Sequence, residues 1–170
     1  MGVAKKTQGH HGRGFCSSSL FKHIYPWRAV DVGTGPAGSP SLNHGFVGTE
    51  HVLLGLLALE DGVVPNVLNK MGVDREAVRW QIENWVGTFP SSKTPGPVPY
   101  TPRVKKSLCF AAREAKVSQN APVGAEHILL GLVLEGDGVA GRVLRDFGLS
   151  PETTREEIMR EVGRNRSIEE

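Results

Sequence analysis

The chain has 170 residues, 39% of them apolar, with 20 Lys and Arg against 18 Asp and Glu and only two cysteines. That length suits one ordinary domain, or two copies of a small unit packed together. The near-balanced charge offers no basic surface of the kind that binds nucleic acid, and two cysteines make no disulfide framework and point to a reduced compartment. The longest apolar run, Val52 to Leu59, is broken by Gly55 and is too short to span a bilayer.

Taken from the start, residues 1–30 carry Lys5, Lys6, Arg13, Lys22 and Arg28 with no acid, which leaves the remainder slightly acidic. Residues 1–42 are rich in Gly and Pro and have no helical period, so they are expected to be a disordered or irregular segment. With Ser17-Ser18-Ser19, this stretch also reads loosely as an organelle transit peptide, which would move the expected location from the cytoplasm to a plastid or other organelle. "GTGPAG" (Gly33 to Gly38) has the spacing of a dinucleotide loop, but Pro36 and Ser39-Pro40 prevent a helix from opening there. Cys16 and the serine run have no base nearby to support catalysis.

From residue 47 onward the chain repeats itself. "VGTEHVLLGLL" (Val47 to Leu57) returns as "VGAEHILLGLV" (Val123 to Val133), and the register holds without a gap to Gly87 and Gly163. About 19 of the 41 paired positions are identical. Two copies are too few for a solenoid and predict a duplicated helical unit packed about a pseudo-two-fold.

In the first copy Thr49 reads as an N-cap for a helix over Glu50 to Glu60, with Glu50 in the first turn, where the helix dipole favours a carboxylate. This helix is apolar nearly all round and should be central; Gly55, matched by Gly131, suggests a close helix approach. Asp61-Gly62 breaks the chain. A second helix is predicted from Val64 to Met71, with Pro65 near its start and Gly72 as its stop. Asp74 caps a third over Arg75 to Val86, with Val78, Ile82 and Val86 on one face. Residues 88–99 form a linker by composition. Thr101-Pro102 then opens a helix that carries Val104, Leu108, Ala111, Ala112 and Ala115 at helical spacing. The matching helix of copy one should begin near Pro26, where the sequence has no helical period. Ser150-Pro151-Glu152 opens the last helix. Units are thus expected over 43–87 and 100–163, with a tail over 164–170.

The paired Gly-x-Glu-His-x-Leu-Leu-Gly-Leu motifs, together with "YTPR" (Tyr100 to Arg103), resemble the double N-terminal repeat of the Clp ATPase family, nearest to the ClpC-type unfoldases that feed the ClpP protease. The likeness covers about residues 43–163. It implies an all-α fold of two pseudo-symmetric repeats of about four short helices, with the first helix of repeat one in doubt. No G-x-x-x-x-G-K-[ST] phosphate loop is present, so no ATP hydrolysis, cofactor or catalytic residue is expected.

The resemblance implies recognition of substrate or adaptor proteins, with a Clp ATPase or the ClpP protease as partner and no role for nucleic acid or membrane. Some relatives of this type bind phosphoarginine, which needs a carboxylate for the guanidinium and donors for the phosphate. A helix start supplies free N–H groups, and a Glu in its first turn supplies the carboxylate. Carried over, the family pattern gives Glu126 for the guanidinium and Thr101 for the phosphate, with Val123, Gly124 and Ala125 at the helix start. Repeat one offers Gly48, Thr49 and Glu50, but Tyr25 stands where Thr101 has its match, so the resemblance favours the repeat-two site. A first-turn Glu is also what the dipole alone would select.

His51 and His127 fit no zinc spacing and read as packed or capping residues. Cys109, Trp80, Trp85 and Phe147 read as core or inter-repeat packing. Two alternatives to a recognition domain stand beside it: a truncated product of a ClpC-type ATPase gene, and a structural accessory subunit that docks on the ClpP ring.

Overall fold

The computed structural model describes residues 46–87, 99–118 and 122–166. Among these residues the regular elements are seven α-helices: α1 (Thr49–Leu57), α2 (Val63–Lys70), α3 (Arg75–Val86), α4 (Pro102–Val117), α5 (Ala125–Glu135), α6 (Val139–Asp146) and α7 (Pro151–Arg166). The fold is all-α. By the sequence repeat, α1, α2 and α3 answer to α5, α6 and α7. The irregular segment expected over 1–42, the Gly33–Gly38 run, Tyr25 and most of the linker lie outside the described residues.

Most starts and stops follow the sequence signals. Asp74 accepts from the Glu76 N–H at 2.9 Å, Thr101 accepts from the Val104 N–H at 3.4 Å, and the Thr153 N–H donates to Ser150 Oγ at 3.2 Å. Gly72 and Gly148 end α2 and α6 with φ of 71° and 83°, in the left-handed region that glycine tolerates.

The start of α1 differs from expectation. Gly48, not Thr49, is the N-cap, because the Gly48 N–H donates to His51 Nδ1 at 3.0 Å. Thr49 turns away, and its hydroxyl accepts the Ala140 N–H of α6 at 3.4 Å. The helix also stops at Leu57 instead of running to Glu60. The Arg75 guanidinium binds the carbonyls of Leu57 (3.2 Å) and Leu59 (2.7 Å), which satisfies acceptors that a longer helix would have used. At the start of α5, Gly124 donates to His127 Nδ1 at 3.1 Å, so both histidines cap their helices, as their surroundings in the sequence suggested.

The centre of the fold is α5, where every residue from His127 to Val133 is buried. Around it lie Leu53, Leu68, Val78, Ile82, Val104 and Leu144, all essentially inaccessible. At Gly131 a Cβ would sit 2.4 Å from the Ser107 carbonyl oxygen and 3.0 Å from the Ala111 nitrogen, so α4 lies backbone-close on α5 and only glycine fits. Arg103 near the start of α4 reaches Glu135 at the end of α5 at 3.2 Å. The pair is therefore antiparallel.

Further ties join the two repeats. Asn66 and Lys70 of α2 bind the Glu161 carboxylate of α7, and Gln81 of α3 donates to Asp146 of α6 at 2.8 Å. Before α1, Val47 pairs with the segment before α4: its N–H donates to the Pro99 carbonyl at 2.9 Å, and its carbonyl accepts the Thr101 N–H at 3.0 Å.

Two packing expectations are corrected. The buried stripe of α3 is Val78 and Ile82, four residues apart, and Trp80 and Trp85 fall off it, 67% and 51% exposed. Cys109 lies beside the buried stripe of α4 and is only half-buried. Phe147 does pack against the core.

Candidate functional site

The Val47–Thr101 pairing sets the first turns of α1 and α4 side by side, and a cleft of about 450 Å³ opens between them. One wall is Gly48, Thr49 and Glu50; another is Thr101, Pro102 and Arg103. The start of α6 closes the third side with Asp137, Gly138 and Val139, and Arg142 stands one turn further along it. Phe46 and Trp85 form an apolar rim.

Glu50 is 6% exposed. Its carboxylate folds back over Gly48 so closely that a Cβ there would lie 2.1 Å from Oε1. The backbone angles of Gly48 suit any residue, so glycine is needed here for room. His51 Nδ1 stands 3.3 Å from the same oxygen.

On the α6 side, Glu135 accepts the Gly138 N–H at 2.7 Å while Arg103 holds its other oxygen. The Arg103 guanidinium also lies 3.8 Å from Asp137. Arg142 is exposed and makes no salt bridge with any described residue. The cleft thus combines the buried Glu50 carboxylate, the hydroxyls of Thr49 and Thr101, the N-termini of three helices and the exposed Arg142 guanidinium, the Thr49 hydroxyl being already engaged with the Ala140 N–H. That set suits a ligand that carries positive and negative charge a few ångströms apart. Among the described residues no cluster of three or more His, Cys, Asp or Glu is placed to hold a metal ion.

The sequence-derived residues divide between two places. Gly48, Thr49, Glu50 and Thr101 line the cleft. Val123, Gly124, Ala125 and Glu126 form the start of α5 and do not. The pairing of Thr101 with Glu126 is therefore corrected. α4 and α5 run antiparallel, and a 16-residue helix is about 24 Å long, so Thr101 and Glu126 sit at opposite ends of the pair.

Glu126 repeats the local geometry of Glu50. Its carboxylate folds over Gly124, its side chain is 22% exposed, and Oε1 stands 3.0 Å from His127 Nδ1. Burial pushes its carboxyl up, but the adjacent His127 and a hydrogen bond from its own backbone leave it below the ordinary carboxylate value. The element that would complete a cleft around it falls, by the repeat register, near Tyr25, outside the described residues.

Reading the sequence missed Arg103, Asp137, Gly138 and Arg142. A signal for them existed. The short connection between α4 and α5 implies an antiparallel hairpin, which removes Thr101 from Glu126 and places it among elements of repeat one.

A family model described as the Clp repeat (R) N-terminal domain matches residues 39–147 and again residues 100–170. The chain belongs to this family. It is 42% identical over 121 residues to a probable ATP-dependent Clp protease ATP-binding subunit of Chlamydia pneumoniae, covering 71% of the chain and 14% of that protein. It is 39% identical over 127 residues to the chloroplastic chaperone protein ClpC1 of Arabidopsis thaliana, again 14% of that protein's length and 75% of the chain.

In structure the Clp-N chain resembles the N-terminal domain of the Clp-associated chaperone ClpD from Arabidopsis thaliana, with a TM-score of 0.53 at 24% identity over 72% of this chain and 84% of that one. It also resembles a chain from a malarial protein secretion system, with a TM-score of 0.62 at 14% identity over 85% and 92% of the two chains. Both likenesses concern the fold. The chain spans about one seventh of the length of the curated relatives named here. No helix among the described residues is long and apolar enough to cross a membrane.

Proposed function

We propose that this Clp-N chain is a non-catalytic recognition domain that delivers substrate or adaptor proteins to a Clp unfoldase and its ClpP protease, and that the cleft between α1 and α4 binds phosphoarginine side chains. The observation that carries this reading is the meeting of Glu50 with Thr101 in one cleft, brought about by the backbone pairing of Val47 with Thr101. The Glu50 carboxylate takes the ligand's guanidinium. The Thr101 hydroxyl, N–H groups at the helix starts and Arg142 take its phosphate. The start of α5 around Glu126 repeats, at the same register, the α1 wall of this cleft.

The test is calorimetric titration of the full chain with free phosphoarginine, with arginine and inorganic phosphate as controls. Binding of phosphoarginine alone, lost in Glu50→Ala and retained in Glu126→Ala, supports the cleft. No heat with the unmodified protein, or equal binding of arginine, ends the phosphoarginine reading. Plant relatives named chloroplastic support the plastid alternative for location. Detection of the tagged chain in isolated plastids, with its first residues removed, would establish it.

A further inference from the structure

The outward face of α4 plays no part in the core. It carries Arg103, Lys105, Lys106, Arg113 and Lys116, all exposed, and no acid. The helix's one carboxylate, Glu114, turns to the side, where the Arg155 guanidinium holds it at 3.0 and 3.2 Å. Arg103 and Lys106 are shared with Glu135 of α5, but Lys105, Arg113 and Lys116 meet no carboxylate among the described residues.

Along this face Lys106, Phe110, Arg113 and Val117 recur at steps of four, three and four, the spacing of a coiled-coil seam. Lys106 Nζ and Arg113 Cζ each stand 5.8 Å from the centre of the Phe110 ring, so the aromatic is flanked by two cations. Val117 ends the row 76% exposed. Phe110 and Val117 are thus two apolar positions on a face whose charged side chains are all cations.

We infer that the outer face of α4 docks an amphipathic acidic helix of a partner protein. Phe110 and Val117 stand seven residues apart on one side of α4, a spacing that matches the heptad repeat of a partner helix. Lys106 and Arg113 beside the Phe110 ring, with Lys105 and Lys116, select carboxylates around that helix's apolar stripe. A nucleic acid would satisfy the charge but leave Val117 and the edge of Phe110 without a use. The surface lies outside the α1–α4 cleft and does not rest on the phosphoarginine reading.

The probe is a fluorescein-labelled peptide of about three heptads with Leu on the seam and Glu on both flanks, titrated with the full chain at low and at physiological salt. Saturable binding is expected, weakened about tenfold by combined Lys105→Glu, Arg113→Glu and Lys116→Glu and by about as much by Val117→Asp alone. Glu50→Ala should bind the peptide as the unaltered chain does. All these side chains are exposed, so circular dichroism should show the variants folded. Unchanged affinity in the charge-reversed variant overturns the proposal. So does equal binding of a peptide with Ser in place of Leu, which would leave only a polyanion effect. Displacement by single-stranded DNA at matched charge would assign the face to phosphate.

Discussion

The amide of Thr101 donates to the carbonyl of Val47 across 3.0 Å, and this bond fixes the first turn of α4 against the first turn of α1. Glu50 and Thr101 belong to different repeats and share a cleft for that reason.

Gly48 is expected to matter for binding more than for folding. A Cβ there would strike the Glu50 carboxylate, the far end of a flexible side chain that can swing away. Gly48→Ala should therefore melt within a few degrees of the unaltered chain, yet lose most phosphoarginine binding in calorimetry. Equal binding by the two proteins would show that the folded-back carboxylate is not the binding form.

Gly131 should behave in the opposite way. A Cβ there meets backbone atoms of Ser107 and Ala111, which cannot move aside. Gly131→Ala should destabilise the fold by about 1–3 kcal/mol, the usual cost of overpacking. Gly163, in α7, has open space around the same virtual Cβ, and Gly163→Ala should stabilise by about 0.5–1 kcal/mol through chain entropy and helix propensity. Urea unfolding of the two variants checks the contrast in sign.

Thr49 is buried and its hydroxyl accepts the Ala140 N–H at the start of α6. Thr49→Val keeps the shape and removes the acceptor. Stability should fall by about 1–3 kcal/mol, the cost of leaving a buried N–H without a partner. Hydrogen exchange at Ala140 should quicken by more than at amides of α7.

Acid should weaken the joint between α2 and α7. The hydrogen bond from Lys70, with that from Asn66 and the charges of Lys70 and Arg164, holds the Glu161 carboxyl below its ordinary value against the opposing effect of burial. A lowered folded-state value gives stability that is fully present above the unfolded carboxyl's pKa, about 4.3, and is lost as pH falls through the folded one. Thermal melts from neutral pH down to pH about 3 should fall more steeply for the unaltered chain than for Glu161→Gln. Parallel curves would remove Glu161 from the acid response.

Much of this fold was legible in the sequence because its signals are local. Thr101-Pro102, Asp74, Ser150-Pro151 and Gly72 act within a turn of themselves, and the structure uses each as expected. Thr49 misled because its hydroxyl has a better use 91 residues away. Trp80 and Trp85 misled because size alone does not place a side chain: the 3.6-residue period of α3 buries Val78 and Ile82 and leaves the indoles outside. In the site, Glu50 and Thr101 were each visible as helix-start residues, but which carboxylate meets which hydroxyl depends on the direction of α5 along α4, a tertiary fact.

The strap between Val47 and Thr101 also bears on ancestry. A single unduplicated copy would own a carboxylate at one helix start and a hydroxyl at another, with nothing to bring the two together. It would gain a whole cleft only by meeting a twin, at a cost in concentration and orientation. Tandem linkage removes that dependence, because one chain then carries both halves at fixed distance and orientation.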